Sequence, residues 1–101
     1  MDEIYKIYKN IPKGELLLDV RRPDEFKEAR IPLSVNITHT EVAEHAESLK
    51  KYSKIYVYCR SGGRSKVATQ LLQQAGLDNL YCIADSGMMH WIAEGYETIS
   101  E

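Results

Sequence analysis

The chain has 101 residues, 44% of them hydrophobic and 28% charged, with a formal net charge of −2. This size fits one domain spanning 1–101, and the charge balance argues against bulk disorder and against a basic nucleic-acid-binding field. No apolar run approaches the ~20 residues of a membrane span, acids precede any apolar stretch at the N-terminus, and two cysteines make neither a disulfide framework nor a zinc set. The expectation is a cytoplasmic domain that binds no nucleic acid, membrane or metal and whose chemistry is local.

Ile4, Ile7, Tyr8 and Ile11 recur at helical spacing behind Asp2, a suitable N-cap, and Pro12 and Gly14 close that helix. Leu16-Leu17-Leu18-Asp19-Val20 reads as a strand covered on both faces. Arg22-Pro23-Asp24-Glu25-Phe26 opens a short helix, with proline early and acids in the first turn. Pro32 ends it, and Ser34 to Ile37 is a weak strand. A helix follows over about 40–51, with Val42, Ala43, Ala46 and Leu49 on one side; Thr38 and Glu41 have capping-box spacing, and Thr40 competes as the cap.

Lys54 to Tyr58 is the best strand, β-branched and aromatic. It runs into Cys59-Arg60-Ser61-Gly62-Gly63-Arg64-Ser65, where a helix begins with Ser65 as N-cap. Val67, Ala68, Leu71, Leu72 and Ala75 point inward, and Gly76 is the stop. Leu80 to Ile83 is another strand, and Met88, Trp91 and Ile92 make a last short helix ending near Gly95, with Met88 and Met89 as core filling. Alternating strands and helices imply right-handed crossovers and a parallel sheet between two helical layers. Sites in such sheets lie beyond the carboxyl ends of the strands. Segment 59–65 alone brings glycines, cations and a nucleophile to that edge.

A cysteine between a strand end and a helix start faces amide N–H groups without helical partners, which stabilise an anion. That environment lowers a thiol pKa and favours the reactive thiolate. Gly62-Gly63 permits positive φ and lets the N–H groups curl into a nest. Arg60 and Arg64 bracket it and are suited to an oxyanion, and the Ser65 hydroxyl reaches the loop. The phosphate-loop pattern GxxxxGK[ST] is absent. A Cys-x5-Arg phosphatase loop needs arginine six positions after Cys59, where Ser65 stands instead. The ring of amides is one residue short for phosphate and better suited to a single sulfur atom. Cys82, on its own strand, reads as a small buried hydrophobe, and His39, His45 and His90 lack ligand spacing.

In these motifs the chain resembles the rhodanese family of sulfurtransferases along nearly its whole length. The matching segments are Leu17-Leu18-Asp19-Val20-Arg21 with Glu25-Phe26, Ile31-Pro32 with Asn36-Ile37, Tyr58 to Ser65, and Gly87 with Trp91 and Gly95-Tyr96. It departs from the family in having Ala29-Arg30 where Gly-His usually precedes Ile-Pro, so a positive-φ turn there would be strained, and in having Ser86-Gly87 for a usual glycine pair. The resemblance implies a three-layer α/β fold with a central parallel sheet of four strands, five if the termini contribute one.

It also implies that Cys59 takes the outer sulfur of thiosulfate or a related donor as a persulfide and passes it to cyanide or a thiol, without cofactor or metal. Arg60, Ser61, Gly62, Gly63, Arg64 and Ser65 would bind substrate, and Asp19 and Arg21 would brace the site. The competing readings are a persulfide carrier loaded by a sulfur-relay protein partner, a redox switch with Cys82 as resolving thiol, and, third, a phosphatase.

Overall fold

The computed structural model describes residues 1–101. The elements in chain order are α1 (Asp2–Ile7), a 3-10 turn (Tyr8–Asn10), β1 (Glu15–Asp19), α2 (Pro23–Glu28), β2 (Val35–Asn36), a 3-10 turn (Val42–His45), α3 (Ala46–Leu49), β3 (Lys54–Tyr58), α4 (Gly63–Gln74), β4 (Leu80–Cys82) and α5 (Met88–Ala93). The four strands form one parallel sheet in the order β2-β1-β3-β4. The termini contribute no fifth strand. Arg30 and Ile99 instead exchange two backbone hydrogen bonds of 2.9 Å each in an isolated antiparallel bridge.

Successive strand residues point to opposite faces, and both faces are apolar here because both are covered. Leu16, Leu18 and Val20 of the first strand region and Ile55, Val57 and Cys59 of the third pack with Val42, Ala46 and Leu49 and with Ala68 and Leu72 of α4. Leu17, Tyr56 and Tyr58 face the other way, onto Ile4 and Tyr8 near the N-terminus and Met88 and Trp91 of α5. The cysteine loop leaves β3 between these two cores. Each large side chain fully removed from water contributes about 1.5–3 kcal/mol.

Local chemistry explains where the elements depart from expectation. Met1, not Asp2, is the N-cap of α1; the Asp2 carboxylate instead lies 2.8 Å from His90 Nε2 and accepts the Tyr96 hydroxyl at 3.0 Å, tying α1 to α5. The expected helix over 40–51 is a 3-10 turn followed by one α-helical turn. Of the four residues expected inward, Val42, Ala46 and Leu49 are buried as their i, i+4, i+7 spacing requires, and Ala43, one position round from Val42, is exposed. The capping box is not made; the Glu41 N–H donates to the Thr38 carbonyl at 2.8 Å, closing a separate turn.

In α4, Val67 is exposed because it lies about 100° around the helix from the Ala68–Leu72 stripe. Met89 and Ile92 are likewise half-exposed on the outer side of α5, so only Met88 and Trp91 fill the core. No positive-φ turn occurs at Ala29, which is extended. The left-handed residue of that connection is Leu33, with φ 71°. It follows Pro32 in a turn closed by the Ser34 N–H donating to the Ile31 carbonyl at 3.2 Å, a geometry that favours glycine at the third position. No helix is long and apolar enough to cross a membrane.

Candidate active site

The loop after β3 folds its backbone toward one atom. The N–H groups of Gly62 and Ser65 donate to Cys59 Sγ at 3.1 and 3.3 Å, and the Ser65 hydroxyl oxygen lies 3.6 Å from it. Cys59 is 1% exposed. Burial pushes its thiol up, but the Ser65 hydroxyl and the N–H groups of Ser65, Gly62 and Ser61 outweigh that, and the net shift is downward. The loop therefore favours the thiolate, the nucleophilic form. A hydrogen bond to a charged acceptor contributes about 1.5–3 kcal/mol, so two or three converging donors suffice to offset the desolvation of one sulfur.

The curl depends on Gly62, whose φ of 118° lies in the left-handed region and whose place a Cβ cannot share, since that atom would fall 2.0 Å from the Ala84 carbonyl oxygen. Gly62 is also the N-cap of α4, three residues before the expected cap, so the helix starts at Gly63. Ser65 is thereby carried inside the first turn and is fully buried. Its oxygen lies 2.6 Å from the Ile83 carbonyl, 2.9 Å from the Gly62 carbonyl and 3.6 Å from Cys59 Sγ, three acceptors that share its single proton once the thiol is ionised. Gly63 is an ordinary helical residue, and a Cβ there would meet nothing within 4 Å.

Carbonyl groups of the loop are turned away from the sulfur and held from behind. The N–H groups of Met88 and Met89, at the start of α5, donate to the carbonyls of Cys59 and Arg60 at 2.9 and 3.0 Å. Gly87 makes this approach possible: a Cβ on it would stand 2.3 Å from the Cys59 carbonyl oxygen and 2.4 Å from that of Arg60. With those two carbonyls engaged, the N–H groups of Gly62 and Ser65 are the backbone groups that reach the sulfur.

The three arginines around the loop differ in their freedom. Arg21 forks onto Asp19, with Nη2 2.7 Å from Oδ2 and Nε 3.0 Å from both oxygens, and donates to the Ala29 carbonyl at 2.7 Å. Burial pushes the Asp19 carboxyl up while the adjoining guanidinium pulls it back. Asn36 donates to the carbonyls of Asp19 and Arg21 at 2.9 Å each, locking the end of β1 to β2. Arg64 forks onto Glu25 at 2.5 and 3.1 Å, and Arg64 holds the Glu25 carboxyl at about 2. Its guanidinium therefore joins α4 to α2 instead of standing open as an oxyanion clamp. Arg60 is exposed and makes no ion pair. Ser61 is exposed at the loop crest, contributing its N–H to the sulfur's surroundings.

Glu25, Asn36 and Gly87 were visible in sequence only as motif letters, because their roles depend on backbone and side-chain partners far along the chain. Cys82 pairs in register with Val57, two residues before Cys59. Strand rise and spacing then separate the two cysteine Cα atoms by about 8 Å, beyond the ~7 Å reach of a disulfide. Away from the loop, Asp2, His90 and Glu94 bring ligand-type atoms within 4.8 Å of one another, a grouping that sequence spacing did not reveal.

Comparison with known proteins gives this geometry a lineage. The model of the rhodanese-like domain matches residues 3–94. A rhodanese-related protein from Thermoplasma volcanium is 38% identical, superposes with a TM-score of 0.76, and the match covers 94% of this chain and 92% of that one. A Schizosaccharomyces pombe protein named "Putative thiosulfate sulfurtransferase, mitochondrial" is 35% identical over 78% of this chain and 66% of its own length. Bacillus subtilis "Putative sulfur carrier protein YrkF" is also 35% identical, over 74% of this chain but only 40% of its own length. The chain thus spans between two-fifths and about two-thirds of these two relatives. With its parallel sheet, its cysteine loop and a match over most of its length, the chain belongs to the family of rhodanese-like domains, whose relatives here include sulfurtransferases.

Proposed function

We propose that this protein is a sulfurtransferase that carries sulfane sulfur on Cys59, taking it from thiosulfate or a similar donor and passing it to a thiophilic acceptor. The observation that carries the reading is the convergence of the Gly62 and Ser65 N–H groups on Cys59 Sγ. The thiolate attacks the outer sulfur of thiosulfate, the bond between the two donor sulfurs breaks, and sulfite leaves with its electron pair. The persulfide left on Cys59 ends in an anionic sulfur, which the same N–H groups stabilise. An acceptor such as cyanide or a thiol then attacks that outer sulfur and returns the thiolate, giving ping-pong kinetics. No electron source outside donor and acceptor is needed.

Arg60, the arginine without a carboxylate partner, neutralises donor oxygens. Ser61, Gly62, Gly63 and Ser65 supply the cradle, Arg64 positions it through Glu25, and Asp19 and Arg21 brace the adjoining strand end. The test is to mix the protein with thiosulfate and weigh it. Gain of one sulfur atom, lost in Cys59→Ala, is expected, and cyanide should remove it as thiocyanate. No adduct in the unaltered protein contradicts the reading.

A second reading, a persulfide carrier within a sulfur relay, is favoured by the relative named as a sulfur carrier and by relatives named "Adenylyltransferase and sulfurtransferase". Rapid loading of Cys59 by a cysteine desulfurase, with none from thiosulfate, distinguishes it.

A further inference from the structure

Away from the cysteine loop, α1 and α5 meet over three side chains whose ligand-type atoms all lie within 4.8 Å of one another: Asp2, His90 and Glu94. Two of them belong to one element. His90 and Glu94 are four positions apart, and the Glu94 N–H donates to the His90 carbonyl at 3.0 Å, so both side chains share a face at the end of α5. Asp2 arrives from α1, 88 positions away in the chain, with Oδ1 2.8 Å from His90 Nε2. Spacing along the sequence therefore hides the set. The Tyr96 hydroxyl donates to the same Asp2 oxygen at 3.0 Å and orients that carboxylate from outside the group.

The charges of this group do not balance. Asp2 faces an imidazole that is charged only when protonated, and Glu94 enters no ion pair. The Met1 ammonium at the start of α1 is already engaged by Glu3 at 2.7 Å. Two carboxylates and one imidazole nitrogen thus converge with no fixed cation among them. Metal–ligand distances of about 2.1 Å set neighbouring ligand atoms about 3.0–3.4 Å apart. Asp2 and His90 stand close to that separation, and the exposed Glu94 carboxylate completes the third side by rotation of its side chain. One nitrogen with two carboxylates suits a borderline first-row divalent cation, whereas Mg²⁺ and Ca²⁺ take oxygen ligands. Three protein ligands leave the remaining coordination positions to water.

We propose that Asp2, His90 and Glu94 form a binding site for a zinc-type divalent cation, which clamps α1 to α5 and stands apart from the chemistry of Cys59. Coordination through Nε2 replaces the hydrogen bond between His90 and Asp2, with the imidazole carrying its proton on Nδ1. The cation thereby strengthens a link that the fold already makes. That link reaches the loop mechanically, because α5 also donates the Met88 and Met89 N–H groups to the carbonyls of Cys59 and Arg60. The clamp does not depend on whether Cys59 carries sulfur.

The test is calorimetric titration of Zn²⁺ into the full chain carrying Cys59→Ala and Cys82→Ser, so that no thiol competes for the metal, with a cooperative urea transition showing that the protein is folded. One Zn²⁺ should bind per chain. On that background Glu94→Gln should weaken binding about tenfold or more, the least that even an outer-shell change costs, and His90→Ala should abolish it. The Glu94 side chain makes no hydrogen bond or ion pair within the protein, so the effect of Glu94→Gln does not pass through folding. Zn²⁺ should also raise the urea midpoint of the thiol-free protein and leave that of its Glu94→Gln form nearly unmoved, while Mg²⁺ moves neither. Absence of Zn²⁺ binding overturns the site, as does equal binding of Mg²⁺. Binding that survives both substitutions would lie at His39 or His45, and binding lost in His90→Ala but unchanged in Glu94→Gln would be a contact to one histidine; either result also overturns it.

Discussion

At the scale of single residues, the site is governed by which atoms are left unpaired. Ser65 is placed by the early helix start so that its oxygen stands between the Ile83 carbonyl, the Gly62 carbonyl and Cys59 Sγ. Its hydroxyl and N–H both lower the Cys59 pKa against the upward push of burial. Ser65→Ala keeps the N–H and removes the hydroxyl, and it should raise the midpoint of Cys59 alkylation by about half to one pH unit, since one unit corresponds to about 1.4 kcal/mol. An unmoved midpoint would assign the effect to the backbone alone.

Leu33 shows the opposite situation, a side chain that gains little where it stands. It is 71% exposed and holds φ at 71°, a conformation that costs a non-glycine residue about 1–2 kcal/mol. Leu33→Gly relieves that cost but frees the unfolded chain, which takes back part of it. The net result should be a gain of about 0.5–1 kcal/mol in urea unfolding.

At the scale of elements, two glycines that look equivalent in the sequence separate. Gly62→Ala drives a Cβ into the Ala84 carbonyl and demands positive φ, whereas Gly63→Ala enters open space inside a helix. Rapid alkylation of Cys59 should survive the second change and be lost in the first, with Gly63→Ala itself stabilising by up to about 1 kcal/mol.

The Glu25–Arg64 fork, which joins α2 to α4, has a pH signature. Arg64 holds the Glu25 carboxyl at about 2, below its ordinary 4.5. A carboxyl depressed in the folded state stabilises fully above its unfolded value, and the contribution disappears as pH falls toward the folded one. Both side chains are mostly buried, at 25% and 16% exposed, and after allowance for solvent screening the pair contributes about 1–3 kcal/mol. The stability difference between the native protein and Glu25→Gln should be largest at neutral pH and narrow between about 4.5 and 2. A difference constant across that window would mean that the glutamate acts through shape alone.

The elements were legible in the sequence where one residue's chemistry decides the backbone, and illegible where a distant partner does. Pro23 at the start of α2, Gly76 after α4 and the β-branched run of β3 all carry their structure locally. The sequence points to a cap three residues late, at Ser65, because serine is a strong N-cap in isolation, while here the Ile83 carbonyl, 18 residues on, draws its hydroxyl inward. Arg64 looked like an oxyanion clamp because its partner Glu25 lies 39 residues away. Cys59 stands out in the sequence as the candidate nucleophile because strand, glycines and helix start all occur within seven residues of it.

At the scale of the whole molecule, one sheet serves two cores, and the loop emerges where they meet. Cys59 itself belongs to the core shared with α4, while the adjacent Tyr58 faces the core of α1 and α5. The second core includes an aromatic group in which Tyr5 stacks on Tyr96 at 3.8 Å and Tyr8 and Tyr96 meet Trp91 edge-on at 5.3 and 5.1 Å. Glu97 closes that side, accepting the Tyr8 hydroxyl at 2.7 Å and the Trp91 indole N–H at 2.8 Å. Because β1 and β3 are common to both cores, neither layer can melt without unpacking the other. Fluorescence of Trp91, the single tryptophan, and far-UV circular dichroism should trace the same urea transition. Separated midpoints would mean that the aromatic layer unfolds on its own.

Whether the loop holds negative sulfur is decided by the ionisation of Cys59 measured alone, in a Cys82→Ser background, by thiolate absorbance and alkylation rate against pH. The expected midpoint lies below that of an ordinary cysteine, with fast alkylation persisting into weakly acidic solution. A midpoint at or above the ordinary value would mean that the loop's N–H groups do not hold negative sulfur, and the transfer chemistry built on them would have no source.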